Sequence, residues 1–353
     1  MKAFYSDTFV LPLPEHHRFP MAKYRLLRER IVAEGVVDPS DLHVPEPIDR
    51  DDLLLVHDAA YVDAVASGTL PPDAQRRIGF PWSQMMVERS RRSVGATLAA
   101  ARTVLQQSVV GPGLSTCARE TSRRATVDAP KRLRREGGQV VPSRDGLKAV
   151  PYERRELVAA NLAGGTHHAF RDRGEAYCVF NDVAVAAAVL LRDGAIRRAA
   201  VVDCDVHQGN GTAAIFRDEP AVFTFSLHGA KNFPFRKEAS DLDVTFEDGA
   251  GDDEYLAALD EHLPAVLDDH RPEIVFYLAG ADPYEGDRLG RLKLTVDGLR
   301  ARDRLMFDAC RSRELPAVVV MSGGYANDVD TIVTIHANTI REAVHSCQSL
   351  SAC

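Results

Sequence analysis

Three residues with metal-binding side chains occupy alternate positions in the segment VVDCDVHQGNGT, residues 201–212. Asp203, Asp205 and His207 follow two valines directly, and alternate residues of an extended strand point to the same side. Divalent metals bind carboxylate oxygen and imidazole nitrogen, and a catalytic zinc site combines three protein ligands with a fourth position open to water or substrate. We therefore predict that Asp205 and His207 bind a metal ion.

A third metal ligand is expected from a neighbouring strand end, in the segment LAGADPYEGD, residues 278–287. Asp282 follows the glycine and alanine that end an apolar run, and a buried carboxylate without a partner is unfavourable. The alternative is that Asp282 caps a helix. Two oxygens and one nitrogen suit Zn²⁺, but also Fe²⁺, Co²⁺ or Mn²⁺, so the ligand types do not select the metal.

Two adjacent histidines, His167 and His168, follow a diglycine in the segment NLAGGTHHAF, residues 161–170. A single histidine is often structural. Two in tandem beside a metal site are suited to act as a base and as an electrostatic partner on either side of an activated water. Each ring would need an acceptor for its far nitrogen, and Asp203 and Asn210 are the candidates.

A tyrosine at a glycine turn completes the set of candidate catalytic residues. Tyr325 ends the segment MSGGY, residues 321–325, in which two glycines allow a sharp turn after an apolar run. Its hydroxyl could then stabilise a developing oxyanion opposite the metal. A packed or surface tyrosine is the alternative.

The elements that must position these residues follow from the apolar pattern. Short apolar runs predict buried strands at 198–204, 221–227, 273–280 and 317–324. Helical periodicity is found at 21–35, 82–107, 181–194, 252–269, 296–313 and 328–346. Strands alternating with helices predict a parallel sheet that is covered on both faces and binds ligands beyond the carboxyl ends of its strands. The candidate residues lie at those ends.

One segment departs from this pattern. Residues 109–158 have little apolar periodicity, several glycines and prolines, and eleven basic against six acidic side chains. We predict a basic, poorly ordered insertion. The alternative is a contact with an anionic partner, with nucleic-acid binding through residues 123–138 as one form of it.

The composition limits the classes of protein that need to be considered. The net charge of −8 argues against a generally basic surface that would grip nucleic acid. Six cysteines are scattered without close pairs, which favours reduced thiols and a cytoplasmic location. The chain contains no apolar run of about 18 residues, so membrane insertion is not expected.

Taken together, these segments resemble the zinc-dependent histone deacetylase superfamily, especially its bacterial and class IV-like members. The matching motifs, in chain order, are EHHRFPMAKY, HDAAYVDAVASG, GGTHHAF, YCVFNDVAVAA, VVDCDVHQGNGT, TFSLHG, AGADPY and MSGGY. The resemblance covers residues 1–107 and 159–346. It implies an arginase-like α/β fold with about eight parallel strands in a single domain at 1–346, followed by a tail at 347–353. It also implies hydrolysis of acyl amides of lysine or of polyamines.

The resemblance assigns roles to individual residues. It implies that Asp205, His207 and Asp282 bind zinc, that His167, His168 and Tyr325 are catalytic, and that Asp203 and Asn210 support the two histidines. Tyr177 and Gly165 are expected to bind substrate, with Phe233 on the opposite tunnel wall. Asp203, Ser226 and Leu227 are expected to help frame a structural potassium site. The insertion at 109–158 interrupts the family pattern just before the tandem histidines.

We therefore predict a metal-dependent amidohydrolase that removes an acyl group, with acetyl as the first expectation, from acylated lysine of a protein or peptide, or from a related amine. One alternative is an acetylpolyamine amidohydrolase. Another is a noncatalytic acyl-lysine binder, if the insertion disrupts the site. A binuclear manganese hydrolase of the arginase type is disfavoured, because no second aspartate stands two residues after Asp282. The sequence does not indicate an oligomeric state.

Overall fold

Eight parallel strands form one sheet in the computed structural model, which describes residues 1–109 and 156–348. The strands are β1 (Ala3–Phe4), β2 (Leu42–His43), β3 (Val158–Asn161), β4 (Ala199–Asp203), β5 (Val222–Gly229), β6 (Leu242–Phe246), β7 (Ile274–Leu278) and β8 (Ala317–Val320). Their order across the sheet is β2-β1-β3-β8-β7-β4-β5-β6. The predicted α/β class with a central parallel sheet of about eight strands is confirmed.

Helices cover both faces of this sheet. They are α1 (Lys23–Ala33), α2 (Arg50–Leu53), α3 (Ala59–Ser67), α4 (Pro72–Ile78), α5 (Gln84–Val109), α6 (Asp182–Arg192), α7 (Asn210–Phe216), α8 (Asp252–His270), α9 (Val296–Arg311) and α10 (Val329–Gln348). Side chains alternate between the two cores: Val202 and Tyr277 pack on the side of α1, α8, α9 and α10. Val201 and Phe276 pack on the side of α3, α5 and α6. This two-sided burial explains why the central strands are continuously apolar.

The four predicted strands correspond to β4, β5, β7 and β8, which are neighbours in the sheet. The other four strands were not predicted. The first hundred residues, where the sequence predicted only the helices at 21–35 and 82–107, also contain β1 and β2, each of only two residues. Such short strands show no measurable alternation, so only pairing with neighbours reveals them. The predicted helices are all present, with ends displaced by a few residues.

The predicted insertion at 109–158 lies almost wholly outside the described residues, as does the tail at 347–353 beyond the end of α10. On either side of the gap, α5 ends at Val109 and β3 begins at Val158. Within the described part of the chain, none of the helices has the length and apolarity needed to cross a membrane. Four cysteines there, Cys178, Cys204, Cys310 and Cys347, carry free, buried thiols.

The topology brings four strand ends together at one edge of the sheet. Strands β3, β8, β7 and β4 are consecutive neighbours, and all are parallel. Their carboxyl ends lead respectively into the tandem histidines, the MSGGY turn, Asp282 and the Asp203 to His207 segment. The candidate residues, up to 158 positions apart in the sequence, therefore meet because the strands that precede them are adjacent.

Candidate active site

Asp205, His207 and Asp282 form a buried group in which one ligand atom from each residue lies within 4.8 Å of the others. His207 Nδ1 is 3.0 Å from Asp205 Oδ1 and 3.2 Å from Asp282 Oδ2. Ligand atoms around a tetrahedral zinc ion, with bonds of about 2.0 to 2.1 Å, are about 3.3 Å apart. The group therefore has the donor types and the spacing that one divalent cation requires.

Local turns, rather than the pleat of the strand, orient this segment. Strand β4 ends at Asp203, whose Oδ1 accepts the Asp205 backbone N–H at 3.1 Å. Asp205 Oδ1 in turn accepts the His207 N–H at 2.9 Å. Asp282 Oδ1 accepts the Val206 N–H at 3.0 Å, which ties the end of β7 to the end of β4. The expected convergence of side chains is found, but two successive aspartate turns produce it.

Glycines make room for the two carboxylates. A Cβ atom at Gly323 would lie 1.8 Å from Asp282 Oδ2, and one at Gly280 would lie 2.8 Å from the Asp205 Cα atom. Asp205 Oδ2 accepts hydrogen bonds from Ser322 Oγ at 2.7 Å and from the Gly323 N–H at 2.8 Å. The backbone at the ends of β7 and β8 therefore packs directly against Asp205 and Asp282, which only glycine permits at these two positions.

A buried carboxylate oxygen without a hydrogen bond supports the fit of a cation. Asp282 Oδ2 is fully buried, makes no hydrogen bond among the described residues and lies 3.2 Å from His207 Nδ1. Burial and the charge of Asp205 raise the pKa of Asp282 to about 7. Two carboxylates that share a dry site repel each other, and a divalent cation between them removes that repulsion. The residues present thus fit a bound metal ion.

The tandem histidines lie beside this group, each held from behind. His167 Nδ1 is 2.6 Å from Asp203 Oδ2, and His168 Nδ1 is 2.7 Å from Asn210 Oδ1. Their Nε2 atoms are 3.1 Å apart. Burial disfavours a charge on His167, but Asp203 and Asp205 outweigh it and raise its pKa to about 9. Burial and the neighbouring histidines lower the pKa of His168 well below its usual value.

A buried carboxylate, Asp182, anchors the loop that carries these histidines. Its oxygens accept the backbone N–H groups of Gly165 at 3.2 Å and Thr166 at 2.8 Å. They also accept the hydroxyls of Thr166 and Thr97, both at 2.6 Å. Gly165 has φ +75°, and a Cβ atom there would lie 2.6 Å from Ser322 Cβ. The loop therefore reaches the metal-binding group through a glycine that no other residue could replace without strain.

His57 braces the far side of the same loop. Its Nδ1–H donates to the Phe170 carbonyl at 2.8 Å, and its Nε2 accepts the Asn181 N–H at 3.0 Å. Only the neutral ring can do both. Burial lowers the pKa of His57 to about 4, which keeps the ring neutral.

Tyr325 is held at its backbone from both sides. Its N–H donates to Asp287 Oδ2 at 2.5 Å, and its carbonyl accepts from Arg288 Nε at 2.6 Å. The ring lies 6.0 Å from that of Tyr177, and the buried Lys23 ammonium is 5.5 Å from its centroid. Burial raises the pKa of Tyr325 well above its usual value. The phenol is therefore protonated at neutral pH and available as a hydrogen-bond donor.

Aromatic rings line the approach to these groups. On one side, Tyr177 packs against Phe19 and Phe80 with centroid distances of 5.1 and 5.3 Å. On the other side, Phe233 lies edge-on to His168 at 5.0 Å. Tyr177 itself has φ +69° and lies against Gly79, where a Cβ atom would be 2.9 Å from its ring. The pocket is thus a narrow aromatic passage that ends at the metal-binding group.

The residues expected to frame a potassium site also lie together. Asp203 pairs with Ser226 across β4 and β5, and Leu227 follows on β5. Ser226 Oγ is 3.0 Å from His228 Nδ1.

The sequence alone did not single out four residues that hold this site: Asp182, His57, Asp287 and Arg288. Asp182 is the first residue of α6, where an acidic residue is ordinarily explained by the helix dipole. Asp287 and Arg288 lie in EGDRLG, which has no metal-ligand or catalytic spacing. Their roles arise from contacts over 16 to 124 positions in the chain, which no local pattern encodes.

Comparison with known proteins agrees with this geometry. The chain is 39% identical over 339 residues to an uncharacterized protein of Picosynechococcus sp., covering 96% of this chain and 97% of that one. It is 26% identical over 336 residues to histone deacetylase 2 of Arabidopsis thaliana, covering 90% and 72%. It is 33% identical over 172 residues to the histone deacetylase-like amidohydrolase of Pseudomonas aeruginosa, covering 45% of each chain.

The fold has close counterparts among solved structures. A crystal structure of an HDAC homolog complexed with SAHA superposes with a TM-score of 0.72 at 22% identity, covering 98% of this chain and 84% of that one. An HDAC homolog from Aquifex aeolicus gives a TM-score of 0.71 at 20% identity, covering 98% and 84%. The family model described as the histone deacetylase domain matches residues 17–340. By this match, and by the ordered motifs that supply its buried site, the chain belongs to the histone deacetylase family.

Proposed function

We propose that this protein is a metal-dependent amidohydrolase that removes an acyl group, acetyl first, from acylated lysine. The observation that carries the proposal is the meeting of three potential metal ligands, two buried histidines and a buried tyrosine at the end of one aromatic pocket. Membership of the family supports an enzyme that hydrolyses amides.

Asp205, His207 and Asp282 would hold the cation, with Zn²⁺ as the first candidate and Fe²⁺ or Co²⁺ as alternatives. When bound, such a cation supplies Lewis acidity, which polarises a substrate carbonyl and makes water a stronger acid. The structural K⁺ proposed at Asp203, Ser226 and Leu227 would stabilise the end of β4 that carries two of the ligands.

The hydrogen bonds give His167 and His168 different roles. Asn210 is neutral, and its amide oxygen accepts the Nδ1–H of His168, which leaves the electron pair of the ring on Nε2, 3.1 Å from His167 Nε2. His168 is therefore the group that takes the proton from water and later returns it to the leaving amine. His167, paired with the Asp203 carboxylate, carries the positive charge and stabilises negative charge that develops beside it.

Tyr325 would donate a hydrogen bond from its protonated phenol to the oxyanion that forms when water adds to the amide carbonyl. Its position depends on backbone contacts, since Asp287 and Arg288 hold the N–H and the carbonyl.

The aromatic passage formed by Phe19, Phe80, Tyr177 and Phe233 suits the methylene chain of lysine, which is apolar along its length. A cytoplasmic location stays a prediction from the unpaired cysteines.

The test is to incubate metal-loaded protein with acetyl-lysine peptides, long-chain acyl-lysine peptides and acetylpolyamines, and to measure release of the acid by mass spectrometry. We expect hydrolysis of acetyl-lysine peptides by the wild type, and none by His168→Ala with the same metal content. A wild type that is fully loaded and inactive on all three classes, or a His168→Ala variant as active as wild type, would contradict the proposal.

A further inference from the structure

The charges around the mouth of the pocket indicate which acylated amine is the substrate. We propose that the mouth selects acyl-lysine within peptides whose neighbouring residues are acidic or neutral, and that it rejects substrates that carry further positive charges, acylated polyamines above all. This inference rests on the proposed function and adds the substrate's chemical class to it.

Basic side chains surround the opening. Lys231 and Arg291 line it together with Phe233, Phe235 and Leu289. Arg288 lies beside the opening, because its Nε donates at 2.6 Å to the carbonyl of Tyr325, which is one of the lining residues. Arg288 Nη2 also donates to the Arg18 carbonyl at 3.2 Å, which holds the two arginines together.

The lining of the opening contains no carboxylate. Among the described residues, none of those that line the opening is acidic. Lys231 pairs with Glu247 at 2.9 Å and Arg291 with Asp248 at 3.1 Å, but neither carboxylate lines the opening. Both pairs are exposed, and such pairs are weak enough to exchange partners. The opening is therefore lined by two basic side chains whose acidic partners lie outside it.

The two candidate substrates meet this charge differently. When the acylated end of a polyamine reaches the metal-binding group, its remaining ammonium groups lie along the passage or at its mouth, where they are repelled. An acyl-lysine side chain carries no further charge, and only the residues on either side of it reach the rim. Glutamate or aspartate there would be attracted, and lysine or arginine repelled.

An exposed aromatic ring points to a peptide rather than a small amine. Phe235 is 89% exposed and lies edge-on to Phe233, with ring centroids 6.4 Å apart. An exposed ring beside a pocket gives an apolar surface that a peptide backbone or side chain can cover. A polyamine that has entered the passage has little apolar surface left to place on it.

The test uses three acetyl-lysine peptides that differ only in the residues flanking the lysine, which are glutamate, glutamine or arginine, and N-acetylspermidine. At low salt we expect kcat/KM to fall from glutamate to glutamine to arginine, by roughly threefold to tenfold per step. The differences should shrink at high salt because the charges are exposed. N-Acetylspermidine should be the poorest substrate of the four.

Two variants test whether the basic residues at the mouth, and not charges elsewhere on the surface, set the order of the peptides. In Arg18→Glu with Lys231→Glu we expect the order of the three peptides to reverse. The matched control is Arg197→Glu. The Arg197 side chain is 86% exposed and precedes β4, so it lies at the amino-terminal end of that strand, whereas the pocket lies at the carboxyl end. This control should keep the wild-type order.

Binding of the same four compounds to metal-loaded His168→Ala distinguishes the two proposals. An intact charge order in binding, with no turnover by wild type, would refute the proposed hydrolysis and leave the selection by charge standing. A preference for the arginine peptide or for N-acetylspermidine, or an order that the double variant leaves unchanged, would overturn the selection by charge.

Discussion

The floor of the pocket and its mouth are built in different ways. At the floor, Asp205, Asp282 and His168 are buried, and backbone groups or neighbouring side chains hold each at hydrogen-bond distance. At the mouth, Lys231 is exposed with a single carboxylate partner, and Phe235 is almost fully exposed. The floor is thus organised before substrate arrives, whereas the mouth can adjust. Changes at the floor should therefore alter turnover greatly, and changes at the mouth should alter substrate preference by small factors.

The largest effect is expected from Asp282→Asn. The amide keeps the size of the side chain but removes a negative charge from the metal-binding group, so metal retention and hydrolysis should both fall to background. Elemental analysis gives the metal-to-protein ratio, and peptide hydrolysis gives activity. Asp268→Asn, which alters an exposed carboxylate paired with Arg313, should keep both. Full metal retention in Asp282→Asn would remove that residue from the ligand set.

Tyr325→Phe should cost about 10² to 10³ in kcat, the usual effect of losing one oxyanion donor. The metal content and the fold should not change, because the backbone contacts of residue 325 remain. Steady-state kinetics on an acetyl-lysine peptide, with circular dichroism as the check on folding, measure this. Unchanged kcat would assign the phenol no part in the reaction.

The buried ring of His57 should make the stability of the folded protein decrease in acid. The pKa of His57 is about 4 in the folded protein, against an ordinary value of 6.5, so the folded state favours the neutral ring. Its contribution to stability is complete above pH 6.5 and is lost as the pH falls towards 4. Between pH 8 and 5 this amounts to about 2 kcal/mol, or roughly 30-fold in the folding equilibrium.

Denaturant unfolding of the wild type and of His57→Gln at a series of pH values measures the loss. Glutamine offers a donor and an acceptor but does not titrate, so the difference between the two proteins should shrink as the pH falls. A difference independent of pH would show that the brace does not depend on the neutral imidazole.

A smaller effect is expected from Asp287→Asn, which weakens the hydrogen bond to the Tyr325 backbone N–H. We expect kcat to fall by about tenfold with little change in KM, since the phenol would be less well placed. In the Tyr325→Phe background the same change should cost little more, because there is no phenol left to position. Additive losses in the double variant would mean that Asp287 acts elsewhere.

The sequence pointed to Asp205, His207 and Asp282 more clearly than to the residues that support them. Asp205 and His207 are two positions apart, and the apolar run before Asp282 predicts a buried strand. Residue type and position at a strand end were therefore enough to propose that these three residues lie together. Asp182 and His57 carry no such signal. In the sequence, Asp182 reads as an acidic residue at the start of a helix, and His57 reads as an ordinary loop histidine. Their roles become visible only when the fold places the loop that carries His167 and His168 against them.

The same contrast holds for the sheet. Strands β4, β5, β7 and β8 have four to eight residues and are buried on both sides, and their apolar runs stand out from the surrounding sequence. Strands β1 and β2 have two residues each, and they are strands only because they pair with their neighbours. Strands of two residues are therefore a property of the assembled fold.

By itself the sequence determined the class of fold, the family and the chemical types gathered at the site, because apolar periodicity and the order of motifs are local properties of the chain. The tertiary structure alone decided that β3, β8, β7 and β4 are neighbours, that Asp287 and Arg288 bind the backbone of Tyr325, and that Lys231 and Arg291 line the pocket mouth. Those features depend on which distant segments lie side by side. The packing of the described residues into one sheet and its helices settles that arrangement, and no stretch of sequence specifies it alone.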